Sequence, residues 1–101
     1  MKQFLIKYRF QAGSQETWHK DIAQFIAALD SDPDLKGRIG YRCLKARDGE
    51  DYYHLATPND DEAAKILQTR AFFSDYTAKT RLASNNGVEV VPLEVIAETA
   101  A

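Results

Sequence analysis

From Lys2 to Gln11 the chain alternates, with Phe4, Ile6, Tyr8 and Phe10 pointing one way and Leu5, Lys7 and Arg9 the other. That period of two is a strand. "AGS" ends it and opens a helix, with Ser14 as N-cap and Glu16 placed to complement the helix dipole. Trp18, Ile22, Phe25, Ile26 and Leu29 then fall on one helical stripe, and "DSDPDLKG" closes the helix as a surface loop. "RIGYRCLKAR" alternates again, with Ile39, Tyr41 and Cys43 opposite Arg42 and Leu44. "DGED" is a hairpin turn, since Asp-Gly tolerates positive φ. "YYHLAT" is the third strand, with Tyr52, His54 and Ala56 on one face and Tyr53, Leu55 and Thr57 on the other.

A second helix opens at "PNDDEAAKIL", capped by Asn59 or Asp60, and runs to about Ala83. In "LQTRAFFSDYTAKTRL" its apolar rhythm breaks at Thr69-Arg70, just before Phe72, Phe73 and Tyr76. A helix apolar on one side needs only one of the two adjacent phenylalanines, which leaves the other for a cavity lid or a partner subunit. "SNNG" ends the helix, and "VEVVPLEVIAET" is the last strand.

The order β-α-β-β-α-β over residues 1–101 predicts one ferredoxin-like α+β domain, a four-stranded antiparallel sheet with its helices on one face. The last strand is apolar on both faces: Val88, Val90 and Ile96 on one, Val91, Leu93 and Val95 on the other. Helices cover one face only. Leu5, Leu44, Leu55 and Leu93 would lie bare on the far side, and a homodimer packed through its sheet faces would bury them. Pro92 marks a bulge or an edge, where its missing N–H has no partner.

Composition narrows the classes. With 101 residues there is room for one core, and 45% hydrophobic with 28% charged residues is ordinary for a folded domain. The formal net charge of −2 and the lack of a basic stripe argue against nucleic acid. No apolar run is long enough for a membrane span, and "MKQFLIKYRF" is no signal peptide, so a cytoplasmic protein is expected. Cys43 is the only cysteine, which excludes an internal disulfide and a four-sulfur metal site. The sequence carries no glycine-rich nucleotide loop and no metal-ligand cluster, so no cofactor and no metal are expected.

The chain resembles the antibiotic biosynthesis monooxygenase family over nearly its whole length. The resemblance rests on the hairpin "CLKARDGEDYYHL", on "LQTRAFFSDY" with Thr69 capping a second helical segment and Phe73 and Tyr76 as an aromatic turn, and on "VVPLEVIAE". It implies a dimeric α+β barrel. It also implies a cofactor-independent monooxygenase-like protein acting on a quinol or other phenol, whose deprotonated form itself reduces oxygen. The chain departs from the family in places. It has no histidine after His54, where haem-degrading relatives place their iron ligand. It also lacks the asparagine in the first strand and the later tryptophan that line oxygenase cavities.

His54 is the candidate catalytic residue, a base or hydrogen-bond donor mid-strand under the helices. Its structural alternative is a sheet histidine bonded to a tyrosine. Tyr8, Trp18, Tyr52, Phe73 and Tyr76 are the candidate substrate-binding residues, able to hold a small apolar or aromatic ligand by stacking and O–H donation. Strand propensity and core packing explain the same residues without a ligand. Arg42 and Arg70 read as surface charges, Arg81 as part of a polar face, and Asp60 to Glu62 as capping acids. Two functions stay open: the oxygenase, with His54 pointing into an apolar cavity, and a non-catalytic dimeric module for ligand binding or assembly.

Overall fold

A computed structural model of the chain describes residues 2–100. Its elements are β1 (Lys2–Arg9), α1 (Gln15–Ser31), β2 (Ile39–Lys45), β3 (Asp51–Pro58), α2 (Asp61–Gln68), α3 (Ala71–Ala83) and β4 (Glu89–Glu94). The four strands form one antiparallel sheet in the order β2-β3-β1-β4. This is the expected ferredoxin-like α+β fold, with three helical segments where two were expected.

Register sorts the faces, because residues directly opposite in an antiparallel pair share a side of the sheet. Val90, Ile6, His54 and Cys43 form one row across the inner face, and Pro92, Phe4, Ala56 and Tyr41 the next. Tyr8 lies opposite Tyr52. Outside run Val91, Leu5, Leu55 and Arg42. Pro92 sits on β4, an edge strand, as its missing donor requires.

Helix α1 starts where its cap predicts, with the Ser14 hydroxyl accepting the Thr17 N–H at 3.3 Å. Its stripe of Trp18, Ile22, Phe25 and Leu29 is buried against the sheet. The loop that follows is more than a surface connection. Asp32 accepts the backbone N–H of Leu35 and Lys36, and this tight turn drives Leu35 into the core at 1% exposure.

Helix α2 is capped by Asp60, whose carboxylate accepts the Ala63 N–H at 2.7 Å. The break after it differs from the expectation for Thr69. Thr69 closes α2, its hydroxyl donating to the Ile66 carbonyl at 2.7 Å, and Arg70 occupies the N-cap position of α3 without a side-chain cap. The Arg70 guanidinium reaches across to Asp32 at 2.8 Å and Asp34 at 2.7 Å. Arg70 is therefore a clamp between the α1–β2 loop and the helix break, not a solvated surface charge. Its hydrogen bonds hold the Asp32 carboxyl below the usual carboxylate range.

Two further expectations change. Phe72 and Phe73 both lean on Phe25, with ring centroids 6.0 and 6.2 Å from it, and Phe73 also lines a cavity, so of the two roles left open for the second ring the structure favours the cavity over a partner subunit. The last strand is shorter than its apolar run: the ladder ends where Glu94 pairs with Lys2, and Ile96 beyond it is 90% exposed.

Phe25 joins these groups, stacking on Tyr76 at 3.8 Å and meeting Tyr41 edge-on at 5.0 Å. Phe25→Ala is expected to lower unfolding free energy by about 4 kcal/mol in urea titration. Ile96→Ser, outside the ladder, should change it by less than about 0.5 kcal/mol.

Candidate functional site

The space between sheet and helices divides into a filled half and a hollow half. Beneath α1 it is filled by rings: Trp18, Tyr8, Tyr52, Phe25 and Tyr76. Beneath α2 and α3 lies a cavity of about 360 Å³. Its walls are mostly apolar, from Phe4, Ile6, Ile39, Leu67, Phe73, Val88 and Val90, with Thr77 and Thr80 on the α3 side. It opens to solvent where its lining residues Gln68, Arg81 and Val90 are exposed. The break at Thr69-Arg70 lets α3 change direction after α2, and both helices contribute to the cavity wall.

Two tyrosines, Tyr41 from β2 and Tyr76 from α3, belong to this wall. Their hydroxyls stand 3.3 Å apart, and both reach His54 Nδ1, Tyr76 at 2.8 Å and Tyr41 at 3.0 Å. On the other side of the ring, His54 Nε2 meets the Tyr8 hydroxyl at 2.8 Å. Tyr8 in turn accepts the Trp18 indole N–H at 2.9 Å. His54 is fully buried, and burial pushes its pKa down to about 4 from 6.5, so the imidazole is uncharged at neutral pH. Burial raises the phenol pKa values of Tyr8, Tyr41 and Tyr76, which keeps all three protonated. Cys43, opposite His54 in the sheet, is likewise pushed up to about 11 by burial, so its thiol stays protonated at neutral pH.

Counting protons gives the network a direction. Tyr8 already accepts from Trp18, so its own O–H has one partner, His54 Nε2. A neutral imidazole that accepts at Nε2 carries its proton on Nδ1 and donates it to Tyr41 or Tyr76. One of these phenols can then donate to the other, and the second keeps an O–H with no strong acceptor in the network. The Cys43 sulfur, which Tyr76 also reaches, is a weak acceptor. The spare hydroxyl thus belongs to a pair of residues that line the cavity, where it can bond an oxygen of a bound molecule.

The predicted site residues separate accordingly. Phe73 and Tyr76 line the cavity. His54 stands behind the wall, with Tyr41 and Tyr76 between it and the hollow, so it does not point into the cavity as expected. Tyr8 and Trp18 lie deeper, in the filled half, and Tyr52 lies toward its far edge, where the exposed His19 meets its hydroxyl at 2.7 Å. Tyr41, which the sequence offers only as one of five tyrosines able to hold a phenolic ligand, joins Phe73 and Tyr76 from the inner face of β2. Arg81 reads in sequence as one more polar helix position. Only the packing puts it at the cavity mouth, with no carboxylate in ion-pair range among the described residues.

No family model matches the sequence, and no curated protein does. Solved structures do. SnoaB, a cofactor-independent oxygenase from Streptomyces nogalater, superposes with a TM-score of 0.78 at 17% identity, over 99% of this chain and 97% of SnoaB. An antibiotic biosynthesis monooxygenase superposes at 0.77 and 9% identity, over 96% of this chain and 100% of the other. The fold is that of the antibiotic biosynthesis monooxygenases. A dimeric ferredoxin-like protein of unknown function from a Jannaschia species superposes at 0.66 and 22% identity, over 94% and 100% of the two chains. Among the described residues, no helix is long and apolar enough to cross a membrane.

The buried imidazole makes stability depend on acidity. The unfolded chain binds a proton at His54 near pH 6.5 and the folded chain only near pH 4. Between these values the unfolded state holds more protons, so stability falls as pH drops through this window. The loss amounts to about 3 kcal/mol across it and levels off below pH 4. Urea titrations of wild type and His54→Gln from pH 7 to about 4 check this. The variant should be less stable at pH 7 and should lose less stability on acidification.

Proposed function

We propose that the chain is a cofactor-independent monooxygenase acting on a small quinol or phenol held in the cavity. The observation that carries this reading is a hydrogen-bonded pair of tyrosines, Tyr41 and Tyr76, in an apolar cavity wall, backed by an uncharged, fully buried His54. A phenol ring fits such a hollow, and its oxygen would meet the spare O–H of the tyrosine pair. Donation to that oxygen favours the phenolate, whose proton leaves to water at the cavity mouth, because a hydrogen bond to the oxyanion stabilises the charged form. The phenolate is the electron-rich species that reduces oxygen, and the substrate itself supplies the electrons. His54 acts here as a positioning residue, fixing both hydroxyls through Nδ1. The cavity walls exclude water from the reactive intermediates. The fold shared with SnoaB supports the same reading.

The shielding of His54 also fits a second reading, a module that binds a small aromatic molecule without transforming it. Oxygen uptake with a panel of reduced quinones and polyphenols separates the two. The oxygenase reading expects uptake above each compound's autoxidation. Tyr76→Phe should lower the rate by about 10²-fold, as expected for a lost oxyanion donor, and Ala64→Phe, which fills the cavity, should abolish it. Uptake at baseline throughout, with saturable binding of the same compounds, would select the binding module.

The assembly we propose is a homodimer through the outer face of the sheet. Leu44 at 48% exposure, Leu93 at 39% and Tyr53 at 38% lie there beside half-buried Leu5, Leu55 and Val91. A partner sheet would bury this apolar face. Sedimentation equilibrium should give twice the 11.4 kDa chain mass, and the double variant Leu44→Glu, Leu93→Glu should give a monomer.

A further inference from the structure

The rings behind the cavity wall form a continuous line to the surface. Tyr76, at the cavity, stacks on Trp18 with centroids 5.8 Å apart and planes within 12°. Trp18 meets Tyr8 edge-on at 6.2 Å. Tyr8 stacks on Tyr52 at 5.2 Å and 6°. Tyr52 then places its hydroxyl on exposed His19.

Packing accounts for rings in contact. It does not account for an imidazole nitrogen at every phenol of the line. Tyr76 has His54 Nδ1 at 2.8 Å, Tyr8 has His54 Nε2 at 2.8 Å, and Tyr52 has His19 Nε2 at 2.7 Å. Tyrosine and tryptophan are the side chains of this core most readily oxidised by one electron. A phenol loses that electron easily only when its proton has a base to go to, as Tyr8 has in His54 Nε2 and Tyr52 in His19, and it is restored only with a proton donor at hand, as Tyr76 has in His54 Nδ1–H.

We propose that Tyr76, Trp18, Tyr8 and Tyr52 form a route that carries an oxidising equivalent from the cavity to the surface beside His19. The oxidant is an oxygen-centred radical in the cavity, of the phenoxyl or peroxyl class. It takes a hydrogen atom from Tyr76: the Tyr76 O–H bond breaks and an O–H bond forms on the radical. An electron from Tyr8 reaches Tyr76 through Trp18. The matching proton crosses His54, with the Tyr8 proton entering at Nε2 as the Nδ1 proton leaves to the Tyr76 oxygen. Tyr76 is restored, Tyr8 holds the radical, and no charge is left on the buried imidazole. The next electron comes from Tyr52, whose proton passes to His19, while the interior regains a proton from water at the cavity mouth. A thiol in solution finally gives an electron to buried Tyr52 across exposed His19 and a proton to water, becoming a thiyl radical, while His19 returns its proton to the Tyr52 oxygen.

This route goes beyond the oxygenase reading and rests on it for the oxidant, but its geometry involves no substrate and is tested apart from it. The test injects the hole from outside. Laser flash-quench with a ruthenium tris-bipyridine oxidant is run on Tyr53→Phe protein, which removes the tyrosine exposed on the other face. Trp18 is the only tryptophan and is 3% exposed, so a tryptophanyl radical in transient absorption reports a hole that has reached the interior. The expected result is that this signal forms in the parent and is lost in both Tyr52→Phe and Tyr8→Phe, with circular dichroism unchanged. His19→Ala should slow radical formation and reduce its slowing in heavy water, which a purely structural histidine would not do. An undiminished Trp18 radical in Tyr52→Phe, or none in the parent, would overturn the proposal.

Discussion

The structure turns on a buried imidazole that must find a partner for each of its two nitrogens. An unpaired polar atom in the interior costs about 1–3 kcal/mol, and hydroxyls from three elements meet that demand at His54. Tyr8 comes from β1, Tyr41 from β2 and Tyr76 from α3. Each hydroxyl is in turn held by its own ring packing, so the polar contacts fix where α3 lies over the sheet. Among the described residues no buried side-chain nitrogen or oxygen is left without a partner. A network satisfied in this way rigidifies its surroundings.

That rigidity also explains why the interior is half full. Trp18, Tyr8 and Tyr52 occupy the α1 side, where large rings lie against one another. On the other side the wall mixes large groups with small ones, Ala56, Ala64, Val88 and Thr80 among them, beneath two helices that meet at a break. The Arg70 clamp on Asp32 and Asp34 holds that break against the α1–β2 loop. The hollow is therefore bounded by fixed elements, as a binding site requires. Its chemistry comes from the tyrosine pair on its wall, and the imidazole behind them sets which hydroxyl proton is left to offer.

Much of the fold was legible because strand alternation and helical stripes each report one physical fact, which side of an element meets the core. Tyr52, His54 and Ala56 share a face in the sequence and share it in the sheet. The site was less legible, because a lining residue and a core residue obey the same pattern. Tyr8 and Tyr41 both sit at inward positions of their strands, and only the packing of α3 places Tyr41 at the hollow and Tyr8 behind it. Thr69 misled for a related reason. A threonine can close one helix as readily as it opens the next, and the bond that decides is local backbone geometry.

The sequence by itself determined the order of strands and helical regions and the inward face of each strand, because periodicity is a local property of the chain. It also determined that the outer face of the sheet would carry leucines with nothing in the chain to cover them. The tertiary structure alone decided that the space under the helices is part rings and part cavity. It alone decided that His54 stands one residue back from the hollow and that Arg70 pins the helix break. Those outcomes depend on distances between side chains far apart in sequence, and such distances exist only once the sheet has set its register and the helices have settled on it.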